Sequence, residues 1–424
     1  MKVYLDTIGC RLNQAEIERL ASQFRSAGHT IVDSARGADL VVINTCTVTA
    51  AAASDSREKV RQAAAAGAGQ IVLTGCWATL DPQNAASLPG VMRIVTNEHK
   101  DELVPAVLGL PSTNLAAASI AREPLPGIHH RMRAFIKVQD GCDNFCTFCI
   151  TRIARGHGVS VTEEQVIREI NAAVEGGAKE AVLSGVHLGS WGRDQSQGKC
   201  LRDLIQSILA RTQIRRLRLS SLEPWDLDTT FFELWQDPRM CRHLHFPLQS
   251  GSSSVLKRMG RNTTPERYRE LVEIAREKIP DLALTTDIIV GFPQESQEEF
   301  DESMAFVKAV QFAGGHVFKY SPRPGTAAAR LTGRVHGKIA HERSQQMCTL
   351  LQQSAREYAA HFEGRVLEVL WESSNPQSDG SRKLSGLTGN NLRAVSTLSE
   401  NRVNQLDSVH VDKVLDDHLE VSLV

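Results

Sequence analysis

Short apolar runs alternate with polar, helix-periodic stretches along the first 115 residues. The runs "KVYLD", "DLVVINT", "QIVLTG" and "VMRIVT" read as strands. Between them, "NQAEIERLASQFRSAG" and "AAASDSREKVRQAAAAGAG" repeat apolar positions at helical spacing. This alternation predicts a parallel sheet with crossover helices over residues 1–115. Residues 116–130, rich in Pro, Ala and Gly, read as a linker. A second alternation fills 131–345, with strands predicted at "AFIKVQD", "EAVLSGV", "RRLRLSS", "HLHFPLQ", "ALTTDIIVGF" and "GGHVFKYS". Six strand–helix units predict a partial (β/α)6 barrel, two units short of the closed eight. A connecting helix is expected over 346–362. The tail, 363–424, switches to short β runs separated by turns and predicts a small all-β module. The fold class is therefore α/β with a C-terminal all-β domain.

Composition changes this picture little. The 424 residues are 42% hydrophobic and 23% charged, with a formal net charge of −1, so no global basic field advertises nucleic-acid binding. The N-terminus lacks the long apolar stretch of a signal peptide, and no apolar run approaches the roughly 20 residues that span a bilayer. Nine cysteines, an odd number, with no sign of export, point to a reducing, cytoplasmic setting and no membrane. Clustered thiols there serve metals or catalysis more often than disulfides.

The cysteines change it a great deal. Cys142, Cys146 and Cys149 stand at C-x3-C-x2-C spacing directly after the first predicted barrel strand, on the face where barrel chemistry is done. Three thiolates on one loop can hold three irons of a 4Fe–4S cube and leave the fourth open to a ligand. A zinc loop completed by a distant residue is the competing reading. Cys10, Cys46 and Cys76 are far apart in sequence, yet each closes a predicted parallel strand: "VYLDTIGC", "LVVINTC", "IVLTGC". Carboxyl ends of parallel strands share one sheet edge, so these thiols can converge on a second cluster. Taken singly, each is equally an inert buried cysteine. Cys200, Cys241 and Cys348 share no such context and read as core or surface thiols.

The C-x3-C-x2-C loop after the first strand of a partial barrel resembles the radical S-adenosylmethionine (SAM) superfamily. That resemblance implies that the amino and carboxylate groups of SAM chelate the open iron, and that reduction cleaves the cofactor to a 5′-deoxyadenosyl radical. Phe148 matches the aromatic usual beside the adenine. A three-cysteine N-terminal domain, such a barrel and a small β tail together resemble the methylthiotransferases over essentially the whole chain. The tail would be a TRAM domain, which binds RNA in that family. "GCRLNQAE", "NTCTVTAAASDSR" and "TGCWA" look most like the subgroup acting on N6-threonylcarbamoyladenosine in tRNA. Other subgroups act on isopentenyladenosine in tRNA or on an aspartate of a ribosomal protein. A non-catalytic iron–sulfur sensor with an RNA-binding tail is the reading from a different class. "TRIARGHGVS" departs from the family pattern, carrying Thr151-Arg152 where a Pro is common.

The resemblance implies two 4Fe–4S clusters, SAM, and an electron donor such as flavodoxin or ferredoxin, while the sulfur donor stays open. Around the cofactor it places Ser184, Gly185 and His187 in the segment holding the methionine amino group. Glu223, Gln249 and Asp287 stand at later strand ends as further candidates. Arg155 is a candidate partner for the cofactor carboxylate, since guanidinium matches that geometry. His187 reads equally as a structural hydrogen-bonding histidine. For tRNA contact, Arg131 and Arg133 in "HHRMRAFIK" and Lys383 and Arg393 in the tail are the candidates. From His361 onward, however, six Lys and Arg face ten Asp and Glu, an acidic balance for an RNA module.

Overall fold

The computed structural model describes residues 1–111, 121–127, 132–196 and 198–424. About half of the expected linker, residues 116–120 and 128–130, lies outside these residues, as does Arg131. Five parallel strands open the chain: β1 (Lys2–Thr7), β2 (Thr30–Val32), β3 (Leu40–Thr45), β4 (Gln70–Gly75) and β5 (Val91–Ile94). Their order in the sheet is β2-β1-β3-β4-β5. β3 is buried along its whole length, as its unbroken apolar run requires of a strand covered on both faces. One face packs Ile17, Leu20 and Phe24 of helix Arg11–Ser26 onto Val3, Leu5 and Val42. The other packs Val60 of helix Ala50–Ala65 onto Val41, Ile43 and Leu73.

The second α/β unit holds β6 (Ala134–Lys137), β9 (Glu180–Ser184), β10 (Arg216–Leu219), β11 (His243–His245), β12 (Ala283–Val290) and β13 (Gly314–Lys319). These pair in parallel as β10-β9-β6 and β11-β12-β13, and single bridges at Leu217–Met240 and Ser221–His245 join the two halves. The result is a six-stranded open barrel, in agreement with the alternation in the sequence. A short antiparallel pair, β7 (Gln139–Asp140) with β8 (Val159–Ser160), brackets the C-x3-C-x2-C loop. Helix Gly337–Ala360 begins earlier than the apolar periodicity suggested. Its Met347 and Leu351 join the barrel's own core, so it is part of the barrel wall as much as a connector.

The tail forms a closed barrel of β14 (Val366–Pro376), β15 (Arg382–Thr388), β16 (Arg393–Leu398), β17 (Leu406–Val414) and β18 (Leu419–Leu423) around buried Trp371. It seats against the starting ends of the large barrel's strands. Arg133 pairs with Glu372 at 2.6 Å, and Arg218 donates to the Thr388 carbonyl at 3.0 Å.

Candidate functional site

Each N-terminal cysteine sits where a strand hands over to a helix. Cys10 is the N-cap of helix Arg11–Ser26, and Cys76 opens helix Cys76–Leu80. Helix N-termini favour anionic sulfur. The glycines before two of them are sterically required. Gly9 has φ +106°, and a Cβ there would lie 2.6 Å from Cys46 Sγ. Gly75 has φ +93°, and a Cβ there would run into the Thr45 backbone. Both turns are thus pressed against the end of β3, which draws the three thiols onto one sheet edge. All three line a single cavity of about 670 Å³ between the N-terminal domain and the barrel. Burial, with the neighbouring Cys10 and Cys76, pushes the Cys46 thiol up to about 11, against the opposing pull of a backbone hydrogen bond from Val48. Protein groups meet two of these sulfurs: Asn13 Oδ1 lies 3.6 Å from Cys10 Sγ, and Asn97 Nδ2 donates to Cys76 Sγ at 3.7 Å.

The barrel cysteines occupy a loop tied at several points. Gly141 turns the chain at φ +67°, Cys142 N–H donates to the Gly156 carbonyl at 3.1 Å, and Thr147 N–H to Met259 at 2.8 Å. Donors point at every sulfur of the set. The Asn144 amide approaches Cys142 Sγ at 3.4 Å, Arg261 Nη1 approaches Cys146 Sγ at 3.9 Å, and the Thr151 amide approaches Cys149 Sγ at 3.4 Å. Such N–H···S contacts stabilise sulfur carrying negative charge. Among the described residues no three His, Cys, Asp or Glu side chains gather tightly enough for one metal ion. A cube spreads its thiolates over separate irons and does not require one-point convergence. Thiol chemistry, charge-stabilising donors and strand-end placement therefore fit an iron–sulfur cluster at both places.

Between the two sets lies a buried ionic knot. Glu16 contacts Lys100 at 2.7 Å, Arg155 at 2.7 Å and Lys137 at 3.6 Å, and Asp140 takes Arg155 at 2.8 Å and Lys137 at 2.7 Å. Burial alone would raise the Glu16 carboxyl; the three cations, Arg155 foremost, hold it well below the usual range. Glu16 and Lys100 belong to the N-terminal domain, the others to the barrel, so the knot fixes one thiol set relative to the other.

The remaining expected residues divide into three groups. Ser184, Gly185 and Asp287 line the shared cavity, whose wall also reaches Ile150 and Thr151, next in sequence to Cys149. Asp287 is held by His245 and His316, each at 3.3 Å, and these overcome the burial that would raise it. A second group surrounds the loop. Phe148 packs against the small apolar cluster that holds Phe292 of the "IIVGF" run, and Ile289 of that run packs against the same cluster. Glu223 makes a two-pronged pair with Arg261 at 2.8 and 2.6 Å. Gln249 adopts φ 72° and bridges to β12 through Asp287 and Ile289 backbone. His187 pairs with Asp226 at 2.5 Å; despite burial, that pair and Cys142 push the imidazole up to about 9. The third group is engaged elsewhere. Arg155, expected at a cofactor carboxylate, spends its guanidinium on Glu16, Asp140 and Asn13. Arg133 is committed to Glu372. Lys383 and Arg393 are exposed on one outward face of the β15–β16 pair. Of the thiols given no role, Cys241 is buried, Cys200 exposed and Cys348 in between.

Sequence reasoning missed Glu16, Lys100, Lys137, Asp140 and Asp226. It also missed Arg11 and the histidines His243 and His245, which line the cavity. Only Arg11 carried a signal, its position directly after a strand-end cysteine.

Comparison with known proteins agrees with this geometry. Residues 136–307 match the radical SAM superfamily, and residues 2–97 match the uncharacterized protein family UPF0004. The threonylcarbamoyladenosine tRNA methylthiotransferase MtaB of Bacillus subtilis (strain 168) is 35% identical, covering 97% of this chain and 94% of its own. The tRNA-2-methylthio-N(6)-dimethylallyladenosine synthase of Geobacillus thermodenitrificans (strain NG80-2) is 30% identical, covering 97% and 81%. Among solved structures, the radical S-adenosylmethionine methyltransferase TsrM of Kitasatospora setae shares the fold at a TM-score of 0.58 and 15% identity, covering 77% of this chain and 75% of its own. Among the described residues, no helix is long and apolar enough to cross a membrane. Cysteine loop, strand-end thiols and relatives along nearly the full length agree: the chain belongs to the radical SAM methylthiotransferases, enzymes whose family chemistry implies a 4Fe–4S cluster and SAM.

Proposed function

We propose that the substrate is tRNA, and that the enzyme places a methylthio group on C2 of N6-threonylcarbamoyladenosine at position 37, beside the anticodon. The observation that carries this reading is the shared cavity, in which Cys10, Cys46 and Cys76 face the barrel's Ser184, Gly185 and Asp287. Relatives named for this nucleoside stand at 33–35% identity, against 30–32% for those named for the dimethylallyl base. In this reading Cys142, Cys146 and Cys149 hold one 4Fe–4S cluster and Cys10, Cys46 and Cys76 a second. Bound SAM and the clusters supply the radical and sulfur chemistry that side-chain acids and bases cannot bring to an aromatic C–H.

The chain's own residues position and shield. The Glu16–Arg155–Asp140 knot fixes the distance between the two thiol sets. Ser184 and Gly185 offer close backbone approach to a ligand at the barrel mouth, and Phe148 with Ile289 offers an apolar surface for adenine. The target base must leave its stack to reach the cavity. Lys383 and Arg393 provide phosphate contacts from the small barrel, and a low-potential donor of the flavodoxin or ferredoxin type supplies electrons. Mass spectrometry of tRNA nucleosides from a deletion strain tests the substrate. Loss of the 2-methylthio form with accumulation of N6-threonylcarbamoyladenosine is expected. Loss of the methylthio-isopentenyl nucleoside instead would transfer the chain to the other subgroup.

A further inference from the structure

Arg11 is a cation without a counterion. Its guanidinium opens onto the cavity, and among the described residues it makes no ion pair. The two carboxylates that act on it electrostatically are already occupied. Asp287 is held by His245 and His316, and Glu180 by Arg216 at 2.8 Å and Arg218 at 2.7 Å. Arg11 is solvent-exposed where it lines the cavity, and its guanidinium is charged at neutral pH.

Two more residues on the same cavity wall carry a side-chain atom with no hydrogen-bond partner among the described residues. Ser220 Oγ and His243 Nδ1 are buried polar atoms with no hydrogen bond, on residues 5% and 1% exposed. Native proteins rarely leave such atoms unpaired unless a ligand or water completes them. A free guanidinium with a hydroxyl and an imidazole nitrogen suits a carboxylate that also carries neighbouring polar atoms. Isopentenyl offers none of these, and binding it would leave the guanidinium unpaired inside the cavity, the arrangement by which polar sites reject apolar analogues.

We propose that Arg11, assisted by Ser220 and His243, is the specificity-determining residue for an acidic N6 substituent, receiving the carboxylate of the threonylcarbamoyl group. This rests on the substrate reading above. Two carboxylates could reach the cavity, the substrate's and that of the methionyl end of SAM, and the test separates them.

The test is equilibrium binding of the full-length enzyme, at fixed salt, to anticodon stem–loop RNAs of one sequence. These carry N6-threonylcarbamoyladenosine, its carboxamide analogue, or N6-isopentenyladenosine. The wild type should bind the acid roughly tenfold or more tightly than the amide. Arg11→Gln should bring that ratio to within about twofold, Ser220→Ala should reduce it, and Arg11→Lys should keep part of it. Iron content of Arg11→Gln is measured alongside because Cys10 adjoins it. If that variant holds no iron, Ser220→Ala decides, and an unchanged ratio there overturns the proposal. A wild type with no preference for the threonylcarbamoyl over the isopentenyl stem–loop would remove the substrate reading itself. A wild type that prefers the former but treats acid and amide alike overturns the role of Arg11 and leaves the substrate reading standing. Retained discrimination in Arg11→Gln, with SAM binding lost in equilibrium dialysis, assigns the guanidinium to the cofactor and also overturns the proposal.

Discussion

Replacing Glu16 by Gln isolates one physical term, because the side chains are nearly isosteric and no cavity opens. The carboxylate faces Lys100, Arg155 and Lys137, and Asn44 donates to it at 3.0 Å. Without it, three buried cations share the single charge of Asp140. Removing one partner from a buried ion pair costs about 3–5 kcal/mol, because the opposing charge is left desolvated and uncompensated. With an m-value of about 3 kcal/mol/M in urea, the first unfolding midpoint should fall by about 1–2 M. Urea melts followed by circular dichroism read this directly. Asp101→Asn is the control: its pair with Arg19 at 3.1 Å involves a carboxylate that is 60% exposed, so it should cost less than about 1 kcal/mol. The sign with pH follows from the depressed Glu16 carboxyl. Its contribution is full above the ordinary value of 4.5 and disappears as pH falls through the lower folded value, so the gap between wild type and variant must close on the acid side. A Glu16→Gln midpoint within about 0.2 M of wild type at pH 7 would refute the reasoning.

Further outcomes follow from other parts of the structure. Glu180, held at about 2 by Arg218 and Arg216 against the burial that would raise it, stabilises the fold fully above 4.5. Glu180→Gln should therefore lower stability at pH 7 by on the order of 3 kcal/mol, with the difference vanishing between pH 4.5 and 2 in acid-unfolding curves. Gly9→Ala should abolish iron binding at the N-terminal thiols, because a methyl there meets Cys46 Sγ at φ +106°. Wild-type iron content in that variant would sink the claim. Arg261→Lys breaks the fork to Glu223 and should speed iron loss to a chelator several-fold, measured by the decay of visible absorbance.

What the sequence showed and what it hid have different physical origins. Strand-end cysteines were legible because strand periodicity places residues on a sheet edge without knowledge of packing, and both α/β units were visible for the same reason. β2 escaped notice as three partly exposed residues with no apolar run. The Glu16 knot was illegible because its members come from positions 16, 100, 137, 140 and 155, and a buried charge looks like a solvated one until its partners are placed. Arg155 shows the same limit. Its type suited a cofactor carboxylate, but protein carboxylates took it first. Arg11 is the converse, since its interest lies in a missing partner, which no linear pattern records.

Iron and acid-labile sulfide counted on three anaerobically reconstituted proteins test the two-cluster arrangement most directly. The proteins are the wild type, the Cys10/Cys46/Cys76→Ala triple variant and the Cys142/Cys146/Cys149→Ala triple variant. Two separate cubes require about eight irons per chain in the wild type and about four in each variant. About four irons in the wild type, unchanged when Cys10, Cys46 and Cys76 are removed, would contradict it.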